Sequence, residues 1–183
     1  MCSSDLEDLS AFGRVLEQLA ACRAPVIAAI NGHCVGGGFE MALCCDLRIA
    51  SSAARFVCAG VNMGLTASAY RLPRLIGLAR AKAMLLTGLP HDAATALAWG
   101  LVTAVHAPDE LMTAARDLAA RLASRAPLSV EATKRLADRA LDQSPQDAAR
   151  ALAAEMPLLR ASADHREAVR AFVERREPRF SRL

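Results

Sequence analysis

Pro25-Val-Ile-Ala-Ala-Ile-Asn-Gly-His-Cys-Val-Gly-Gly-Gly-Phe-Glu40 runs from an apolar strand, through a glycine-rich turn, into a helix with a carboxylate in its first turn. Three consecutive glycines, Gly36 to Gly38, leave backbone N–H groups bare where the helix begins, a place that favours negative charge. Glu40 follows the middle glycine by three residues and so lies one turn along, on the same side of the helix. Bare amide donors beside an acid/base group suit a reaction that builds an oxyanion and moves a proton. Taken singly, the glycines read equally as a tight structural turn, and Glu40 as a solvated carboxylate at a helix start. The string is not a dinucleotide fingerprint, a phosphate loop or a serine elbow, because each requires a spacing or a residue that is missing.

Outward from this stretch, Leu9, Phe12, Val15, Leu16 and Leu19 mark an amphipathic helix across Leu6–Cys22 that Pro25 ends. Val26–Ile30 reads as a buried strand stopped at Asn31-Gly32, with further strands at Asp46–Ala50, Arg55–Val57 and Leu101–Val105. Helical signals cover Ser68–Leu75 and Leu78–Leu86, and His91-Asp92 opens a short helix that ends at Gly100. Strand–helix–strand alternation places the chain in the α/β class. Beyond Pro108 the character changes to Ala/Leu/Arg helices at about 109–124, 128–141, 145–161 and 164–174. The expected division is an α/β core over 1–107 and a helical region over 108–183.

Hydrophobic residues make up 54% of the 183 and charged residues 22%, enough for a core and against disorder. A net charge of +3 is too small to argue for nucleic acid. Arg175, Arg176, Arg179 and Arg182 interleave with Glu174 and Glu177 and read as a solvated helical face. No apolar run has membrane-spanning length, and the first eight residues lack a signal-peptide pattern, so a cytoplasmic protein is expected. Cys2, Cys22, Cys34, Cys44, Cys45 and Cys58 show no metal-ligand spacing and read as buried free thiols, with no metal site. Asp46 is expected to anchor the entry to its strand or to pair with Arg48 or Arg71. Trp99 and Phe172 read as core or subunit contacts.

The whole string Pro25–Glu40, with Met41-Ala42 and Cys45-Asp46-Leu-Arg-Ile-Ala50, closely resembles the enoyl-CoA hydratase/isomerase (crotonase) family. The likeness continues through Arg71-Leu-Pro-Arg-Leu-Ile-Gly77, Leu85-Leu-Thr-Gly88, Ala98-Trp-Gly-Leu-Val102 and Asp164-His-Arg-Glu-Ala-Val-Arg-Ala-Phe172. It implies an α/β spiral of ββα units followed by C-terminal helices for closure and oligomerisation, assembled as a homotrimer or hexamer. It implies an acyl-CoA thioester as substrate, with no metal or redox cofactor. By the same resemblance, Gly37 N–H would hold the thioester oxygen and Glu40 would handle water and proton. Gly36, Gly38, Gly60, Met63 and Gly64 would line the substrate site, and Phe172 and Arg176 could lie near the nucleotide.

Two departures accompany the likeness. Gly60 stands where hydratases of the family place a second glutamate, and a glycine transfers no proton. His33, Cys58, Asn62 and Tyr70 are the nearby candidates for a substitute, each with an alternative reading as a packing or loop residue. Nothing before Ala24 resembles the family's upstream segment, which carries the second oxyanion donor, so an N-terminally truncated member is expected. Hydration of an enoyl-CoA is the expected reaction. The alternatives are an isomerisation or decarboxylation needing one acid/base group, or a catalytically silent acyl-CoA-binding scaffold.

Overall fold

A computed structural model describes residues 3–183. By internal contact the chain forms two units. One comprises the segment through Cys22 with Val26–Arg116; the other comprises Arg23–Pro25 with Asp117–Leu183.

In the first unit, α1 (Ser3–Ala20) precedes β1 (Ile27–Ile30), β2 (His33–Val35) and α2 (Gly37–Cys44). The ββα order recurs in β3 (Leu47–Ser51), β4 (Arg55–Val57), a 3-10 turn at Val61–Met63, α3 (Arg71–Ile76) and α4 (Leu78–Thr87). A shorter set follows: β5 (His91–Asp92), α5 (Ala93–Trp99) and β6 (Ala104–His106). Each of the first two ββα repeats gives one strand to each of two sheets. β3 pairs in parallel with β1 and β6, while β4 pairs in parallel with β2 and antiparallel with β5. A parallel pair needs a crossover, and β2 with α2 supplies the one between β1 and β3. Ile30, Phe39, Leu43, Phe56, Leu72, Met84, Leu101 and Val102 form the buried core, with Trp99 packed against it. Asp46 anchors a strand entry, but that of the neighbouring β1 rather than its own strand: its Oδ2 accepts from the Val26 amide at 2.7 Å.

Four elements depart from the sequence reading. His91-Asp92, expected to open a helix, forms β5 beside Arg55 and Phe56, and α5 starts at Ala93, with Asp92 capping it by accepting from the Thr95 amide. β2 was not foreseen, because its three residues carry a single buried side chain, Cys34, between exposed His33 and Val35. The last strand is Ala104–His106 rather than Leu101–Val105. Gly100 closes α5 with φ 79, and the Leu101 amide reaches back to the Ala96 carbonyl at 2.9 Å. Leu101 and Val102 are therefore buried as the tail of a helix cap, not as strand residues. α3 begins at Arg71, three residues after the expected start, because Ser68 is held in a left-handed conformation.

After β6 comes α6 (Leu111–Ala123), and the second unit takes in α7 (Pro127–Arg139), α8 (Pro145–Ala161) and α9 (Ala163–Glu174). Proline at the first turn of α7 and α8 suits the position, where an amide has no intrahelical partner. Ser144 and Ser162 cap α8 and α9 by accepting from the amides of Asp147 and His165. The arginines of the terminus are exposed, as expected, but they do not form a helical face. α9 ends where Arg175 turns left-handed at φ 53, and the tail folds back. Buried Asp164 accepts from the amides of Ser181 and Arg182, Glu167 binds Arg176, and Glu131 binds both Arg182 and Arg23. Phe172 is 85% exposed, which removes it from any core of this chain. Among the described residues, no helix is long and apolar enough to cross a membrane.

Candidate active site

The glycine-rich turn places α2 by a backbone that only glycine adopts easily. Gly36 has φ 52 and ψ −121. The first amides of a helix have no carbonyl behind them, and their aligned dipoles leave positive charge at that end. Glu40 is the first residue of α2 to reach back, to the Gly36 carbonyl at 3.0 Å. Among the described residues, no acceptor faces the Gly37 or Gly38 amide, and both glycines are exposed.

Both ends of α2 are fixed. Phe39 is fully buried and meets Phe56 of β4 edge-on, with ring centres 6.5 Å apart. Burying such a ring contributes about 1.5–3 kcal/mol. At the far end, the buried guanidinium of Arg48 donates to the carbonyls of Leu101 (2.9 Å), Cys45 (2.5 Å) and Ala42 (3.4 Å). It thereby satisfies the electronegative end of the helix. Burial pulls the Arg48 pKa below its ordinary value, and nearby Cys45 and Asp46 oppose that shift.

Glu40 is half-buried, and the Ser68 hydroxyl donates to its Oε1. Ser68 is itself buried, with φ 61. Cys58 lies close enough to feel both. Burial, reinforced by the charge of Glu40 and opposed by a bond with Ser68, pushes its thiol up to about 12. Cys58 is therefore protonated near neutrality and is neither a base nor a nucleophile there. The loop from Cys58 to Ser68 thus starts and finishes beside Glu40.

The sequence model for enoyl-CoA hydratase/isomerase matches residues 7–182. The chain belongs to the enoyl-CoA hydratase/isomerase family. It is 45% identical over 159 residues to the (E)-benzylidenesuccinyl-CoA hydratase of Thauera aromatica, covering 85% of this chain and 62% of that one. It is 38% identical over 171 residues to the crotonyl-CoA hydratase of Syntrophomonas wolfei, covering 91% and 65%. The chain therefore spans just under two thirds of the length of these curated relatives. A solved enoyl-CoA hydratase from Bacillus anthracis superposes with a TM-score of 0.96 at 30% identity, over 100% of this chain and 72% of that one. The stacked ββα repeats with their C-terminal helices are the crotonase fold.

In this enoyl-CoA hydratase/isomerase chain, Gly60 sits in a tightly packed loop. A Cβ there would lie 2.9 Å from the Leu65 carbonyl oxygen and 3.1 Å from the Ala67 amide, both rigid backbone. The Leu65 amide donates to the Gly60 carbonyl at 2.8 Å, which draws the loop tight. Gly60→Ala is expected to destabilise the chain by about 1–3 kcal/mol, through overpacking that only backbone movement relieves. Urea denaturation measures this, and an unchanged midpoint would refute it. Any larger side chain at position 60, a glutamate included, would require the loop to be rebuilt.

Asn62 donates to the Gly88 carbonyl at 3.0 Å, Tyr70 is exposed with Arg74 over its ring at 4.9 Å, and His33 is an exposed strand residue. Met63 is 73% exposed and Gly64 turns left-handed at φ 67, so both stand at the surface of the same loop. Of the thiols expected to be buried, Cys34, Cys44 and Cys58 are, Cys45 is half-buried and Cys22 is exposed, while Cys2 lies outside the described residues. Ser68 and Arg48 were missed as site-building residues. A charge inside an apolar strand hinted at Arg48; nothing in the spacing marked Ser68.

Proposed function

We propose that this chain carries the acid/base half of an acyl-CoA site of the enoyl-CoA hydratase type. One observation carries it: the open Gly37 amide at the head of α2, with Glu40 one turn along. The Gly37 N–H would donate to the thioester oxygen as it gains enolate charge, a contact typically worth a factor of about 10²–10³ in rate. Glu40 would take a proton from water as it adds to the β-carbon and would then return that proton to the α-carbon of the enolate, ending ionised as it began. Gly36, Gly38, Gly60, Met63 and Gly64 would border the bound thioester. No metal or redox group enters this chemistry, because holding the thioester oxygen itself acidifies the α-carbon. The hydratase relatives named for benzylidenesuccinyl-CoA and crotonyl-CoA support an α,β-unsaturated acyl-CoA as substrate.

Exposed Val169, Phe172 and Val173 on α9 support assembly with further copies, as a trimer or hexamer. A cytoplasmic setting fits the free thiols. The close packing around Gly60 favours a second reading, in which one carboxylate carries an isomerisation or decarboxylation.

The test is crotonyl-CoA with the purified protein, alongside exchange of α-protons of butyryl-CoA in deuterated water. Hydration of the first supports the hydratase reading. Exchange without hydration supports the single-carboxylate reading, and binding alone supports a silent scaffold. Failure to bind either thioester overturns all three.

A further inference from the structure

The Ser68 side chain donates a hydrogen bond to the Glu40 carboxylate. It does so from an unfavourable backbone. At φ 61 it occupies the left-handed region that costs any residue with a Cβ, and it is 7% exposed. A hydroxyl in that conformation, buried and pointed at a carboxylate, is a strained geometry maintained by its surroundings. Those surroundings are visible on both sides. Its carbonyl receives the Leu72 amide at 3.1 Å, which starts α3, and the preceding residue, Ala67, lies against Gly60.

We propose that Ser68 is a positioning residue, its hydroxyl fixing the orientation of Glu40 from the loop that the absence of a side chain at Gly60 lets close. The proposal rests on the reading above, in which Glu40 is the proton-transfer group. With no second carboxylate entering at position 60, a neutral donor takes over the task of holding Glu40. It orients the group without adding a competing charge. Cys58 stays protonated in the same corner and so adds no second charge there.

The alternative is that Ser68 merely shapes the loop. Ser68→Gly separates the two, because glycine accepts the left-handed backbone while removing the hydroxyl. Thermal melting should show this variant as stable as the parent or more so. Turnover of crotonyl-CoA should nonetheless fall about tenfold in kcat, with KM within about twofold, as a misoriented acid/base group requires. Ser68→Ala, which keeps the strain, should lose activity equally and melt earlier. The Glu40 carboxyl carbon resonance, in protein labelled at glutamate and assigned through Glu40→Gln, should move in both variants. Parental kcat in Ser68→Gly, or an unmoved Glu40 resonance in both variants, would overturn the proposal. Absence of turnover in the parent would count against the hydratase reading alone, since the resonance still reports whether Ser68 holds Glu40.

Discussion

Glu40→Gln is expected to lower turnover of crotonyl-CoA by a factor of roughly 10² or more while leaving the fold intact. The substitution keeps the shape of the side chain, and its amide oxygen still accepts from the Ser68 hydroxyl. The half-buried position needs no new cavity. What is lost is the ability to take and return a proton, since an amide does neither near neutrality. Binding of the thioester should change little, because the Gly37 amide and the Cys58–Ser68 loop are untouched. A variant with parental kcat would remove Glu40 from the chemistry. A variant that loses stability in proportion to its activity would make Glu40 a structural residue instead.

The second large effect is on stability. Arg48→Met should destabilise the chain by about 3 kcal/mol or more in urea denaturation, because the Leu101 and Cys45 carbonyls lose a buried donor. Removing the guanidinium also removes the cost of burying its charge, which is the opposing contribution. The orphaned carbonyls dominate: each costs about 1–3 kcal/mol, and methionine offers neither a hydrogen. Arg48→Lys should recover only part of the loss, since an ammonium lacks the planar fork that reaches Leu101, Ala42 and Cys45 together. An Arg48→Met protein within about 0.5 kcal/mol of the parent would show that the end of α2 is held by other contacts.

Much of this was legible in the residues because it depends on local rules. The strand-to-turn-to-helix passage at Pro25–Glu40 could be read from apolar run, glycines and carboxylate alone, and Gly36 has the backbone that only glycine tolerates. Pro145 opens α8 and Asp92 caps α5, both by chemistry confined to one turn. What stayed hidden is non-local. β2 exists because His33–Val35 finds Arg55–Val57 as a parallel partner twenty-two residues on, counting from 33 to 55. Ser68 acts twenty-eight residues from Glu40, across a loop whose course is set by a backbone contact at Gly60. Arg48 works on carbonyls contributed by two separate segments. The arginine tail misled for a related reason. Interleaved charges imitate a helix face, whereas Glu131, Asp164 and Glu167 draw the tail back.

The burial that keeps the Cys58 thiol up at about 12, and Cys34 at about 11, has a practical consequence for spectroscopy. Thiol-reactive dyes capture the ionised sulfur, so these positions stay dark near neutral pH. Cys22, exposed just after α1, is the described thiol open to labelling. A fluorophore there could follow α1, whose Phe12 ring lies 3.1 Å from where a Cβ at Gly37 would stand, without touching Cys58.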